Sequence, residues 1–280
     1  MSIWKCPVCG ASMQHRSHCW SCPKGHSFDI ARSGYVNLLP SNQKRAHNPG
    51  DNPLMVRARK AFLDAGYYSC LLDALKTVVI RYGKSDGVLL DVGCGEGYYT
   101  EGCAEALKQA GMPMQICGVD IAKCAVDLAA KRYPEGRFAV ASAFHLPVSD
   151  ACCDIVTEIF APRCIEEYSR VLHQQGIFIQ VLPGQQHLWG LKEAIYDSPY
   201  PNAVHDYTIE GMELLQVDYV DDWLQLDNPT DIQNLFQMTP YYYKTGREEH
   251  ARLEQLDHLS TQISFEITQY RKKKETTLKA

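Results

Sequence analysis

The sequence contains no apolar run approaching the length of a membrane-spanning helix, which requires about 18 residues. The apolar core of a secretion signal is also missing near the start, where Lys5 and Cys6 occur early. There is no low-complexity tract, and 45% hydrophobic with 22% charged residues is the balance of an ordinary globular protein. These absences argue against a membrane or exported protein, so we expect a cytoplasmic one without a membrane partner.

Acidic side chains are scarce at the front of the chain. Residues 1–60 contain nine lysines and arginines against two acids, Asp29 and Asp51, which is a net charge of +7. Because the whole chain has a net charge of −5, the remaining 220 residues hold −12. A basic segment ahead of an acidic body is expected of a polyanion-binding module joined to an enzyme. A solvated, slightly basic surface is the alternative interpretation.

Twelve cysteines are present, and without an export signal we expect them to be thiols or metal ligands rather than disulfides. Near the start, the pattern C-x2-C-x12-C-x3-H is formed by Cys6, Cys9, Cys22 and His26. Two thiolates at C-x2-C spacing can face one tetrahedral ion, so this set predicts a zinc site. A module of about 25 residues needs such a metal to fold, because it cannot bury enough apolar surface alone.

Cys19 offers a competing arrangement. Cys19 and Cys22 form another C-x2-C pair, which would complete an all-cysteine set. We favour His26, because Cys6 and Cys22 each precede a proline and each half-site contains a glycine turn. A redox pair or a group of free thiols is a further interpretation, although a redox motif needs no second cluster.

A glycine-rich turn follows a short apolar stretch in the middle of the chain. Val88–Val92 predicts a buried parallel strand, and a helix is expected to begin near Tyr98. Dinucleotide-binding turns read G-x-G-x-x-G, whereas this one reads D-x-G-x-G-x-G with the acid at the strand end, as in S-adenosylmethionine (SAM) methyltransferases. The candidate cofactor-binding residues of this turn are Asp91, Gly93, Gly95 and Gly97.

Two later segments complete the predicted cofactor site. Gln115–Asp120 predicts a second strand that ends in an acid, and Asp120 is placed to accept both ribose hydroxyls. The stretch from Arg137 predicts a third strand followed by a loop beside the adenine. In that loop Ser142 occupies the position where many proteins of this fold have an aspartate, and Ala143 can contribute its backbone.

Strands continue to alternate with helices after this point. Asp154–Pro162 and Gly176–Pro183 predict the fourth and fifth strands, while Leu235–Tyr243 and Gln262–Tyr270 predict a closing antiparallel hairpin. The rhythm indicates an α/β protein with a mostly parallel, doubly wound, Rossmann-like sheet and a small N-terminal zinc-binding domain. The predicted segments are a zinc-binding RNA-recognition domain (1–36), a basic linker with a connecting helix (37–66) and a SAM-dependent methyltransferase domain (67–280).

Over nearly its whole length the chain resembles the bacterial 23S rRNA (guanine-N1)-methyltransferases. The resemblance rests on the zinc-ligand pattern and the SAM turn, and on stretches outside both of them. These stretches are Phe28-Asp29, Gly34–Pro40, Pro49-Gly50-Asp51, Ala58–Tyr68 and Leu90–Thr100.

The resemblance implies methyl transfer from SAM to N1 of a guanine in 23S rRNA, with zinc bound by Cys6, Cys9, Cys22 and His26. It also implies SAM contacts from Tyr68, the Gly95-Glu96 turn and His187, and it suggests a homodimer. Guanine N1 lies on the Watson–Crick edge, so the target is expected in a hairpin or loop where the base is accessible. The catalytic base is unassigned; His187 and Glu158 are candidates by position.

Two other functions fit parts of the sequence. One is a SAM-dependent small-molecule methyltransferase in which the zinc site is purely structural. The other is a zinc RNA-binding protein that no longer uses a cofactor, although the intact glycine turn and Asp120 argue against it.

Overall fold

The computed structural model describes residues 3–41 and 50–273, in which an N-terminal three-stranded antiparallel sheet lies against an eight-stranded sheet. The small sheet comprises β1 (Gln14–His15), β2 (Cys19–Ser21) and β3 (Ser27–Asp29). The large sheet comprises β4 (Val36–Asn37), β5 (Val88–Val92), β6 (Gln115–Asp120), β7 (Arg137–Val140), β8 (Cys153–Ile159), β9 (Leu172–Pro183), β10 (Met212–Leu226) and β11 (Leu259–Lys272). The helices are α1 (Pro53–Asp64), α2 (Ser69–Tyr82), α3 (Tyr98–Gln109), α4 (Lys123–Arg132), α5 (Ile165–Val171), α6 (Trp189–Ile195), α7 (Pro229–Gln237) and α8 (Arg247–Glu254).

The large sheet has the strand order β10-β11-β9-β8-β5-β6-β7-β4. Neighbours from β9 to β4 run parallel, and β11 is antiparallel to both β9 and β10. This arrangement confirms the predicted mostly parallel, doubly wound sheet. The chain reverses its direction of winding between β5 and β8, so a cleft opens at the carboxyl ends of these central strands.

The central strand β5 is built from consecutive apolar residues because helices cover both faces of the sheet. Leu89, Leu90 and Val92 are each at most 1% exposed. Leu89 packs with α2 and α3 on one face, whereas Leu90 and Val92 belong to the core on the other. The strand ends at Asp91 and Val92, which places the glycine turn at the edge of the sheet where the cleft opens.

The predicted closing hairpin is correct for Gln262–Tyr270, which lies within β11, but wrong for Leu235–Tyr243. The partner of β11 is β10, and Leu235–Tyr243 covers the end of α7 and a 3-10 turn at Pro240–Tyr243. A helix forms here because the Asn228 side chain accepts a hydrogen bond from the Asp231 amide and Pro229 occupies the first helical position. Its buried residues recur at helical spacing, at Ile232, Leu235 and Phe236.

Helix α1 lies within the predicted linker. Asn52 caps it by accepting hydrogen bonds from the Leu54 and Met55 amides, and Pro53 is its first residue. Residues 42–49 of that linker, which include Lys44 and Arg45, lie outside the described residues. The predicted domain boundaries at residues 36 and 66 stay predictions, although β4 already pairs with β7 of the large sheet.

The N-terminal module packs against the loop that follows β7. Trp4 forms a β-bridge with Val148, and the Lys5 amide donates to the Pro147 carbonyl at 2.8 Å. A second hydrogen bond runs in the opposite direction, from the Ser149 amide to the Ile3 carbonyl at 2.8 Å. The Trp4 side chain is 1% exposed and belongs to the same apolar core as Val148 and the inner strands of the sheet. The two parts of the chain therefore share one continuous core.

Within the described ranges, no helix combines the length and apolar character needed to cross a lipid bilayer.

Replacing Trp4 by alanine should lower the free energy of unfolding by about 3–5 kcal/mol, because the substitution leaves a large cavity where the module meets the sheet. Trp223, which is 59% exposed on β10, provides a matched control. Trp223→Ala should change the unfolding free energy by less than about 0.5 kcal/mol in the same urea titration. Equal losses for the two variants would contradict the shared core.

Candidate functional site

Four side chains of the N-terminal module converge on one point. The ligand atoms of Cys6, Cys9, Cys22 and His26 all lie within 4.8 Å of one another. The Cys9 and Cys22 sulfurs are 3.7 Å apart, and His26 Nδ1 lies 3.5 Å from Cys6 Sγ and 3.4 Å from Cys22 Sγ. Tetrahedral zinc with ordinary bond lengths would separate two sulfurs by about 3.8 Å and a sulfur from a nitrogen by about 3.5 Å. These three distances match those of a tetrahedral zinc site, so the four side chains form a suitable ligand set for zinc.

The chemistry of Cys22 also suits a metal. Burial raises the pKa of its thiol, but hydrogen bonds from the backbone at His26 and Lys24 outweigh burial and lower the pKa to about 6. The thiolate is the form that binds metals, so this site is prepared for a cation. Cys19 lies in β2 opposite Asp29 and is not a member of the metal-competent group found among the described residues.

A cleft of about 850 Å³ opens at the carboxyl ends of the central strands. This volume is within the range of about 300–1,000 Å³ typical of small-molecule sites. The predicted cofactor residues that line it are Tyr68, Asp91, Gly93, Gly95, Glu96, Asp120, Ser142, Ala143 and His187. Gly97 is not among the described lining residues; it adopts a φ of +87° at the start of α3 and packs against Ala129.

The glycine turn lies against the end of β6. Asp120 accepts a hydrogen bond from the Gly95 amide at 3.0 Å through one carboxylate oxygen and from the Ala122 amide at 2.8 Å through the other. Gly93 has a φ of +80°, and a Cβ there would lie 2.3 Å from the Ala161 Cβ. Only glycine therefore allows the turn to pass this close to the end of β8.

Asp91 supports the turn from below. Its carboxylate accepts hydrogen bonds from the hydroxyls of Thr100 and Thr157, the latter at 2.9 Å. Burial raises the pKa of Asp91 to about 6, although both hydroxyl bonds act in the opposite direction. Because the two oxygens are each occupied, Asp91 ties β5 to α3 and β8 at the floor of the cleft.

Tyr68 and His187 meet on the far side of the cleft. The Tyr68 hydroxyl lies 3.5 Å from His187 Nε2, and both side chains are buried. His187 Nδ1 accepts a hydrogen bond from the Ser264 amide at 3.2 Å, so the neutral ring has its proton on Nε2. Burial, with the nearby Lys192 charge, lowers the pKa of His187 to about 3. A neutral histidine with a protonated Nε2 is a hydrogen-bond donor here and a poor base.

Glu158 turns toward the cleft rather than away from it. Glu158 is 1% exposed and lines the cleft, and its carboxyl accepts a hydrogen bond from Gln180 Nε2 at 3.0 Å. Burial raises the pKa of Glu158 to about 7, against the lowering effect of the Gln180 bond. The residue is therefore a carboxyl that can exchange a proton near neutral pH.

Two half-exposed phenylalanines lie at the rim. Phe160 is 46% exposed with a φ of +54°, a conformation that non-glycine residues rarely adopt, and its ring stacks near His187. Phe144 is 52% exposed near the start of the loop after β7. Both line the cleft, so large apolar surfaces face a ligand entering from solvent. Sequence reasoning did not find either ring, because nothing in the pattern separates them from core aromatics.

Arg59 is another residue that sequence reasoning missed. It lies on α1 and lines the cleft, with Nη1 at 2.5 Å from Asp51 Oδ2. In the sequence it belongs to a run of basic residues that also contains Arg57, which is exposed. Spacing alone gives no reason to place one of them in the cofactor cleft.

The hydrogen-bonding groups and charges of the cleft are suited to SAM. Glu96 Oε1 is buried and has no hydrogen-bond partner, so it is available to a donor on a ligand. Carboxylates at Asp51, Glu96 and Asp120 suit a ligand that bears ammonium and sulfonium charges, and Asp120 lies where the ribose of a nucleoside is bound in this class of fold.

Comparisons with known proteins agree with both parts of the chain. A zinc-ribbon family described as the N-terminal region of RlmA matches residues 4–47, and a methyltransferase-domain family matches residues 90–180. The 23S rRNA (guanine(748)-N(1))-methyltransferase of Streptomyces fradiae is 35% identical over 195 residues, which cover 68% of this chain and 67% of that protein. The YxjB protein of Bacillus subtilis (strain 168), proposed to be a 23S rRNA (guanine-N(1)-)-methyltransferase, is 28% identical over 95% of this chain and 96% of its own length.

The strand order, the glycine turn and the cleft, together with the matched domain, define a SAM-dependent class I methyltransferase that has an N-terminal zinc ribbon. SAM and zinc are its cofactors. Within that class, the chain belongs to the 23S rRNA (guanine-N1)-methyltransferase family.

The metal group allows a direct comparison of two cysteines. Cys22→Ser should reduce bound zinc from one equivalent per chain to well below one, because one of four ligands is lost. Inductively coupled plasma mass spectrometry of the purified protein measures the zinc content. Cys19→Ser should retain one equivalent. Zinc loss from Cys19→Ser equal to that from Cys22→Ser would support the all-cysteine set instead.

Proposed function

We propose that this protein transfers the methyl group of SAM to N1 of a guanine in 23S rRNA. The observation on which the proposal depends is the loop between β7 and β8. Ser142, Ala143 and Phe144 at its start line the cleft, while Pro147 and Val148 bond to the zinc module. RNA held by the module would therefore lie within one short loop of the cofactor.

In this proposal Cys6, Cys9, Cys22 and His26 bind the zinc ion, and Cys19 does not. The ion holds the module together, and its basic residues then face the RNA backbone. Arg16 and Lys24 are exposed on it. Arg137 lies 5.9 Å from the ring of the buried Trp20 in a cation–π contact.

The cofactor residues have distinct roles. Asp120 would accept the ribose hydroxyls, because its carboxylate is fixed by the Gly95 and Ala122 amides. Ser142 and Ala143 would flank the adenine at the end of β7. Glu96 Oε1, which has no partner, is available to the ammonium group, and Tyr68 with His187 Nε2–H would contact the methionine portion.

The target guanine must leave its base pair, because N1 lies on the Watson–Crick edge. We propose a hairpin or loop as the substrate, with the extruded base against the exposed rings of Phe144 and Phe160. SAM, when bound, supplies an electrophilic methyl group on its sulfonium. Glu158 would accept hydrogen bonds from the guanine edge and take up the N1 proton, since its pKa lies near neutrality.

The family suggests a homodimer, and a cytoplasmic location is consistent with an rRNA substrate. Both remain proposals.

Labelled SAM provides the test of function. The protein should transfer label to 23S rRNA, and nuclease digestion with mass spectrometry should identify 1-methylguanine. In parallel, the same protein should leave a pool of small metabolites unlabelled. Label that appears in metabolites and not in RNA would favour the small-molecule methyltransferase with a structural zinc site.

Glu158→Gln should lower the rate of the chemical step by about 10²–10⁴-fold, the range expected for losing a general base. The ionised form of Glu158 is the base, so wild-type single-turnover rates should fall as the pH drops below about 7. The variant should lose that inflection while retaining SAM affinity. Glu166→Gln, on the solvent side of α5, serves as a control with an unchanged pH profile. An unaltered inflection in Glu158→Gln would exclude this role.

A further inference from the structure

The cleft contains an excess of negative charge around its glycine turn. Asp51, Asp91, Glu96 and Asp120 all line it, and each would favour a cationic part of a ligand. The methionine end of SAM has two such parts, the ammonium and the sulfonium, but it also has an α-carboxylate. A carboxylate placed among four acids needs a cation beside it, because burying an unpaired charge is strongly unfavourable.

Arg59 is the cation that the fold places there. Its Nη1 lies 3.9 Å from the position that a Cβ on Gly95 would occupy, so the guanidinium reaches the glycine turn itself. The side chain is 26% exposed, with one face toward the cleft. Its charge is secure: burial lowers the pKa of Arg59, but the neighbouring Asp51 carboxylate, followed by Glu96 and Asp120, raises it overall.

The hydrogen bonds of Arg59 leave donors for a ligand. Nη1 donates to Asp51 Oδ2 at 2.5 Å and Nη2 donates to the Met238 carbonyl at 3.5 Å. A guanidinium has five N–H donors in a rigid fork, so these two contacts orient the group without using its full capacity. Asp51 lies just before α1 in the chain and Met238 caps the end of α7, so the fork is held from two separate parts of the chain.

Other cations near the cleft are less suitable. Arg163 approaches Gln180 Oε1 at 3.5 Å, on the side where Glu158 faces the acceptor base. Arg132 donates to the Glu96 carbonyl and pairs with Asp64, and it is not among the described residues that line the cleft. His187 is neutral, because burial lowers its pKa to about 3.

We propose that Arg59 binds the α-carboxylate of SAM, so that α1 contributes a cofactor residue from outside the methyltransferase sheet. The inference rests on the proposed function for the identity of the cofactor and adds the residue that recognises its amino-acid end. Arg59 thereby selects SAM over adenosine derivatives that lack a carboxylate.

Decarboxylated SAM isolates the contact, because it retains the adenosine, sulfonium and amine and lacks the carboxylate. Isothermal titration of the full-length zinc-loaded protein would compare both ligands without RNA. Wild type should bind SAM about 10- to 100-fold more tightly than decarboxylated SAM, the range of a charge-assisted hydrogen bond. Arg59→Met should lose that preference by weakening SAM alone. Arg57→Met, an exposed arginine on the same helix, should retain it.

Equal weakening of both ligands in Arg59→Met, or an unchanged preference for SAM, would overturn the proposal. If Arg59→Met does not fold, as shown by circular dichroism, Arg59→Gln takes its place under the same two criteria, since glutamine keeps amide donors for Asp51 and Met238 but removes the charge. A wild-type protein that bound neither ligand would count against the proposed function instead. RNA labelling by an Arg59→Met variant that still prefers SAM would show that the enzyme assignment stands while this one fails.

Discussion

The Asp120 carboxylate joins the glycine turn to the second strand of the parallel sheet, and the cleft is arranged around that contact. One oxygen accepts from the Gly95 amide and the other from the Ala122 amide. The turn reaches Asp120 with Gly93 and Gly95 at positive φ, and Gly93 passes close to Ala161. Asp91 of β5 accepts hydrogen bonds from two threonine hydroxyls and so connects β5 to α3 and β8. The proposed ribose contact and the proposed acceptor side of the cleft both depend on this arrangement.

The charges around the turn follow from the same geometry. Parallel strands end at one edge of the sheet, so acids at successive strand ends come close together. Burial then raises the pKa values of Asp91 and Glu158 to about 6 and about 7. The first is fixed by hydroxyl donors and is structural, whereas the second faces the acceptor side and can exchange a proton. Both residues are buried carboxyls with a raised pKa, and their different positions on the sheet give them different roles.

The zinc module is stabilised and positioned by its metal site and by its contact with the large sheet. It is too small to bury a core alone, yet Trp4 and Met13 join the core of the large sheet, and its backbone bonds to the loop after β7. The metal group orders the ligand-bearing turns, while the shared core fixes the module beside the cleft. Under the proposed function, RNA bound by the module would therefore lie beside the cleft.

Much of the fold could be predicted because its signals are local. The buried strand Val88–Val92, the glycine turn and the acid at Asp120 can be recognised from short patterns, and the metal-ligand spacing of Cys6, Cys9, Cys22 and His26 also lies within one short segment. The wrong strand at Leu235–Tyr243 shows the limit, since short apolar stretches fit both periods until a cap such as Asn228 decides.

The sequence by itself determined the class of sheet and the cofactor turn and left two alternative sets of metal ligands, because each depends on residues close together in the chain. The structure then brought Cys6, Cys9, Cys22 and His26 together. Tertiary structure alone decided that Arg59 of α1 reaches Gly95, that Glu158 faces the cleft, and that His187 is a neutral donor. These properties depend on burial and on partners far away in the chain, such as Met238 for Arg59 and Ser264 for His187. No local pattern encodes such contacts, because the partners come together only when the helices and strands pack in the folded protein.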